Sequence, residues 1–209
     1  MIGGRTAGAP PAVDTQARVL GSARDWRIAG AVLVGLAAVV TARWAATVAG
    51  SADALAIGLA FGVALLALGL PALRRLGRPT LIAIPIGLAG GAVLIALALV
   101  ARAGALGPTL APAAPFAPWA AVTIVVAAGE ELVLRGALFS ALERAGGVVV
   151  AIAVTSIAFA VMHVPLYGWH VVPLDLGVGI FLGGLRQAGG GWAGPAIAHA
   201  VADLATWWL

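Results

Sequence analysis

The chain has 209 residues, of which 62% are hydrophobic and 10% charged, against about 45–50% and about 25% in ordinary soluble domains. So few charges cannot cover a water-soluble globule, and disordered chains are far less apolar; the composition is that of an integral membrane protein. Cysteine is absent and all twelve basic residues are arginine, against eight acidic ones, which excludes disulfides and thiol chemistry. Most of these arginines stand at the ends of apolar runs, so no nucleic-acid partner is expected.

Residues 1–25 are small, proline-containing and polar, with Arg5, Arg18 and Arg24. They are expected to form a flexible cytoplasmic tail ahead of an uncleaved anchor, being long for the charged region of a signal peptide. About 20 apolar residues cross a bilayer core, and on that rule the first span is predicted over Trp26–Ala49, interrupted by Arg43. The second covers Ala52–Leu73, closed by Arg74, Arg75 and Arg78, and the third Thr80–Ala101. A connection carrying Pro108, Pro112, Pro115 and Pro118 follows, which cannot be helical throughout. Spans are then predicted over Trp119–Leu142, Val148–His163, Leu174–Ala188 and Trp192–Leu209, the last two short and glycine-rich. The fold class is an all-α polytopic transmembrane helical bundle of about seven spans. An N-terminal set of helices with the proline-rich connection (26–118) precedes a C-terminal membrane domain (119–209).

With the N-terminus in the cytoplasm, Arg5, Arg18, Arg24, Arg27, Arg74, Arg75, Arg78, Arg144 and Arg186 fall on the cytoplasmic side and only Arg43 and Arg102 outside, which is the positive-inside pattern. Glycines inside spans, such as Gly87, Gly90, Gly91, Gly177, Gly179, Gly183 and Gly184, are read as close-packing positions between helices.

Ionisable residues within apolar spans are the informative ones, because each costs about 2.5–3.5 kcal/mol at a span centre. The fourth span holds Glu130, Glu131 and Arg135. Glu131 and Arg135 are four apart, on one helical face with the acid N-terminal to the base, the favourable order for an ion pair. Glu130 points about 100° away and is left without that arginine, a candidate general base. A salt bridge pinning two helices, or a proton pathway, would account for the same acids. Phe159 and His163 share a face at the end of the fifth span, and His199 and Asp203 share one in the last. The bland readings are an interfacial histidine and a polar packing pair. No role is assigned to His170.

The ordered set Glu130-Glu131-x-x-x-Arg135, Phe159-x-x-x-His163 and His199-x-x-x-Asp203 resembles the motifs of the CPBP intramembrane proteases. That family includes the CAAX prenyl endopeptidases and bacterial bacteriocin-processing or immunity-type (ABI) relatives. The resemblance covers roughly Trp119–Leu209. It implies a helical core whose motifs meet in an intramembrane cavity, with Glu130 activating a water aided by His163. His199 and position 203 would stabilise the oxyanion, while Glu131 and Arg135 support them beside Phe159. An ionised Asp203 cannot donate to an oxyanion; it is expected instead to hold the His199 tautomer.

The function expected on this basis is intramembrane endopeptidase activity on a membrane-associated protein or peptide, within the lipid bilayer. No cofactor is required on balance. His163, His199 and Glu130 would be the ligands if a divalent metal such as zinc were present. The alternatives are a catalytically silent scaffold or immunity-type protein of the same fold, and a small proton-coupled transporter, against which the lack of internal repeats counts. Arginine without lysine, with abundant alanine and glycine, suggests a GC-rich genome and a bacterial plasma membrane.

Overall fold

A computed structural model describes residues 23–50, 53–76, 79–103 and 114–209. Most of the expected tail, including Arg5 and Arg18, lies outside the described residues, as do Arg78, Pro108 and Pro112. Among the described residues every regular element is helical: α1 (Ala23–Ala49), α2 (Ala54–Leu73), α3 (Ala83–Ala103), α4 (Phe116–Glu131), a π-helical stretch (Leu132–Leu138), α5 (Phe139–Tyr167), a 3-10 turn (Trp169–Val171), α6 (Val172–Gly189) and α7 (Ala193–Ala205).

Local chemistry sets several boundaries. The Asp53 side chain accepts the Ala56 backbone N–H at 2.9 Å, satisfying one of the donors a helix start leaves unpaired, so α2 begins at Ala54. The fourth helix begins at Phe116, earlier than the expected Trp119. Pro115 is its N-cap and Pro118 lies in its first turn, where proline removes no helical hydrogen bond.

The apolar stretch Phe116–Tyr167 is far longer than one span. It divides at Gly147, whose φ of 86° is open to glycine and costly for other residues. Arg135 and Phe159 would be about 36 Å apart on one straight helix, yet the Arg135 guanidinium lies 5.0 Å from the Phe159 ring centroid. The two legs therefore fold back on each other, giving the expected fourth and fifth spans as a hairpin. Five helical segments are long and apolar enough to cross a membrane, and this hairpin accounts for two crossings.

The expected seventh span is the exception. The apolar run continues to Leu209, but α7 stops at Ala205 and has 13 residues, about 20 Å of helix against a hydrocarbon core of about 30 Å. Beyond it Trp207 packs at 5.0 Å from Trp119 and 5.2 Å from Phe116, closing the chain end onto the start of α4. α7 is an inner helix, packed on α3, α4 and α6.

Gly87, Gly90, Gly91, Gly179 and Gly183 are close-packing positions as expected, whereas Gly177 and Gly184 meet nothing within 4 Å and are not. α3 and α7 approach so closely that a Cβ on Gly87 would lie 2.6 Å from the Ile197 Cβ and 2.8 Å from the Gly194 carbonyl oxygen. On the opposite side of the hairpin turn, Arg144 pairs with Asp25 in the first turn of α1 at 2.9 Å. Arg24, Arg75 and Arg144 line one recess there, and Arg75 and Arg186 a second, so these arginines gather at one end of the bundle.

Gly87→Val is expected to cost about 1–3 kcal/mol of stability through overpacking. Gly30→Ala, which meets nothing within 4 Å, should stay within about 0.5 kcal/mol of wild type. Thermal unfolding in one detergent, followed by circular dichroism, compares the two.

Candidate active site

The centre of the site is a buried ion pair that the helix itself supplies. Glu131 closes α4 and Arg135 lies in the π-helical stretch; their side chains meet at 2.8 Å, both with no solvent exposure. Further hydrogen bonds hold such a pair in a poorly polarisable interior, although Glu131 Oε2 and Arg135 Nε have no hydrogen-bond partner among the described residues. Arg135 donates a second hydrogen bond to the Gly179 carbonyl at 3.0 Å and lies over the Phe159 ring. The Gly179 carbonyl is within reach because α6 runs against α5 there: a Cβ on Gly179 would be 2.8 Å from the Ser156 Cα. Arg186 reinforces the π-helical stretch by donating to the Arg135 carbonyl at 2.9 Å while pairing with Glu143 at 3.0 Å. Isolated π turns inside α-helices are often found at functional sites.

Glu131 has a second partner. His199 Nδ1 donates to the same carboxylate oxygen, Oε1, at 3.0 Å. The sequence suggested that Arg135 would occupy Glu131 and that Asp203 would set the His199 tautomer. In the structure the Nδ1 side of the ring is held by Glu131, while Asp203 Oδ2 lies 3.4 Å from Nε2. Nε2 also faces Glu130 Oε2 at 3.9 Å. With Nδ1–H bound to Glu131, the other nitrogen is presented to Glu130 and Asp203.

His163 is fixed on the other side of Phe159. Its Nδ1 donates to the Phe159 carbonyl at 2.9 Å and lies 3.2 Å from Asp175 Oδ2. Both contacts engage Nδ1, which leaves Nε2 as the free position of a neutral ring. The Phe159 ring stands edge-on between the two imidazoles, with centroids 4.8 Å from His163 and 5.5 Å from His199. It spaces the histidines, a role the shared helical face alone did not reveal.

The side chains expected to act together all line one cleft of about 520 Å³: Glu130, Phe159, His163, His199 and Asp203. Glu131 and Arg135 lie behind that wall. Asp175, in the first turn of α6, joins the cleft lining together with Arg43 and Tyr167, and sequence reasoning assigned it no role. The available signal was an acid within an apolar run, the criterion that singled out Glu130. His170 does not line the cleft.

Among the described residues no group of three or more histidine, cysteine, aspartate or glutamate side chains is arranged to hold a metal ion. His163, His199 and Glu130 do not form such a three-ligand group.

Residues 112–205 match the family described as type II CAAX prenyl endopeptidase Rce1-like. The match contains all three motifs and bears out the resemblance read from them. No curated protein and no solved structure matches the chain.

Arg135→Met should be strongly destabilising, by about 3–5 kcal/mol, because it leaves Glu131 buried without its cation. Chemical denaturation in detergent measures this loss.

Proposed function

We propose that this membrane protein is an endopeptidase that hydrolyses a peptide bond of a membrane-associated protein or peptide by water activated between Glu130 and His163. The observation that carries the reading is the gathering of one acid without an arginine partner, two fixed imidazoles and Asp203 around a single cleft. The family match over the same residues supports a protease of the CAAX type as the reaction class.

In this reading Glu130 takes a proton from water as the water oxygen attacks the scissile carbonyl carbon. His163, with Nδ1 committed to Phe159 and Asp175, offers Nε2 to the same water. The carbonyl oxygen becomes an oxyanion. His199, held through Nδ1 by Glu131 and protonated on both nitrogens, donates from Nε2 to that oxygen. When the carbon–nitrogen bond breaks, the proton held by Glu130 passes to the departing amine. The products are a carboxylic acid and an amine, the acid then giving its proton to the amine, and no group leaves the site altered.

The ion pair of Glu131 and Arg135 supports this chemistry without touching the reacting atoms. Fixing the imidazole before substrate arrives avoids reorganisation during the reaction, which is the source of most electrostatic catalysis. Asp175 is a positioning residue for His163 in the same sense. With the arginine-rich end in the cytoplasm, as the positive-inside bias directs, the N-terminus is cytoplasmic, in a bacterial plasma membrane.

Glu130→Gln should lower kcat on a membrane-anchored peptide by about 10²–10⁴-fold, the usual contribution of a general base, with unfolding unchanged. Asp175→Ala should lower kcat less and leave KM near wild type. Purified protein in detergent provides both measurements. Equal hydrolysis by wild type and Glu130→Gln would remove Glu130 from the mechanism. A Glu130→Gln strain keeping a phenotype that deletion abolishes would favour the scaffold reading.

A further inference from the structure

The cleft has a direction. Its walls are the C-terminal part of α1 (Arg43), the N-terminal part of α4 (Trp119), the end of α5 (His163, Tyr167), the start of α6 (Asp175) and the end of α7 (Thr206). Every one of these helix ends points away from the end where Arg24, Arg75, Arg144 and Arg186 collect. The path of the chain fixes this opposition. α1 leaves the arginine-rich end beside Arg144 and reaches the cleft at Arg43. The second leg of the hairpin leaves the Gly147 turn and reaches the cleft at His163, and α6 runs from Asp175 at the cleft back to Arg186.

Charge then assigns the two ends to the two sides of the membrane. Arg24, Arg27, Arg74, Arg75, Arg144 and Arg186 belong to the end away from the cleft, against Arg43 and the terminal turn of α3, which holds Arg102, at the cleft end. The cleft end also carries exposed aromatic residues: Tyr167, Trp169, Phe116 and Trp208 are each at least 41% exposed, as is Trp26 at the arginine-rich end. Aromatic side chains of this kind anchor at the membrane–water interface, which places the mouth of the cleft near a headgroup region rather than far out in water.

We infer that the catalytic cleft opens on the extracytoplasmic side of the membrane, so that its substrates are membrane-anchored proteins whose scissile segment lies at the outer interface, not cytoplasmic tails. This deepens the endopeptidase reading and rests on it for the word substrate. The direction of the cleft rests only on geometry and charge.

The absence of cysteine from these 209 residues makes the test direct, since an introduced thiol is the sole one among them. Thr206→Cys and Trp169→Cys report on the cleft end, and Arg144→Cys on the opposite end. Cells expressing each variant are treated with a membrane-impermeant maleimide, before and after permeabilisation. The first two should label fully in intact cells, and Arg144→Cys should lose its labelling unless the cells are permeabilised. The reverse pattern, or labelling of Thr206→Cys and Trp169→Cys only after permeabilisation, overturns the inference. A second arm displays one anchored peptide on either face of cells expressing wild type or Glu130→Gln. Cleavage confined to the outer display supports the inference, and cleavage confined to the inner display overturns it. Labelling reads direction without requiring hydrolysis, while Glu130→Gln reads the chemistry, so failure of one is distinguishable from failure of the other.

Discussion

The site depends on one carboxylate oxygen. Glu131 Oε1 receives both the Arg135 guanidinium at 2.8 Å and His199 Nδ1 at 3.0 Å. A carboxylate in an apolar interior is too costly to keep charged unless paired, and the arginine one helical turn away supplies that charge. What remains of the acceptor capacity of the oxygen is spent on an imidazole from another helix. The pairing that makes the acid tolerable in the bundle is thereby also the fixture that orients the His199 ring at the candidate site. Removing either function would remove the other, so this interaction is structural and chemical at once.

The surrounding helices serve that fixture. The hairpin reversal at Gly147 brings Phe159 back onto Arg135, and the close approach of α6 to α5 at Gly179 and Ser156 delivers a carbonyl to the same guanidinium. Packing by small residues replaces the hydrophobic driving force that helices lack in lipid. The two histidines end on either side of a single phenyl ring, each with its Nδ1 committed. That arrangement leaves the Nε2 atoms facing the cleft with two acids, Glu130 and Asp203.

Much of this was legible because membrane sequences obey few rules strongly. Apolar run length located the helices, and spacing four placed Glu131 with Arg135, Phe159 with His163 and His199 with Asp203. What was not legible depends on tertiary approach. The partnership of Asp175 with His163 exists only because the first turn of α6 crosses the end of α5. The contact of Glu131 with His199 required knowing that one oxygen would serve two donors. No sequence rule announced the π-helical stretch. The apolar residues after Ala205 imitated a full span, although the chain leaves the helix there and folds its tryptophans onto α4. The sequence shows a break between the spans ending at Leu142 and beginning at Val148, but only the positive φ of Gly147 turns that break into a reversal.

A double-mutant cycle between Glu131 and His199 tests this account most directly, using Glu131→Gln, His199→Gln and the combined variant, with unfolding free energy in detergent as the readout. If one carboxylate oxygen links the ion pair to the imidazole, the two substitutions should be non-additive by about 0.5–3 kcal/mol, the range for residues in one buried network. Additivity within about 0.3–0.5 kcal/mol, as for independent sites, would contradict it.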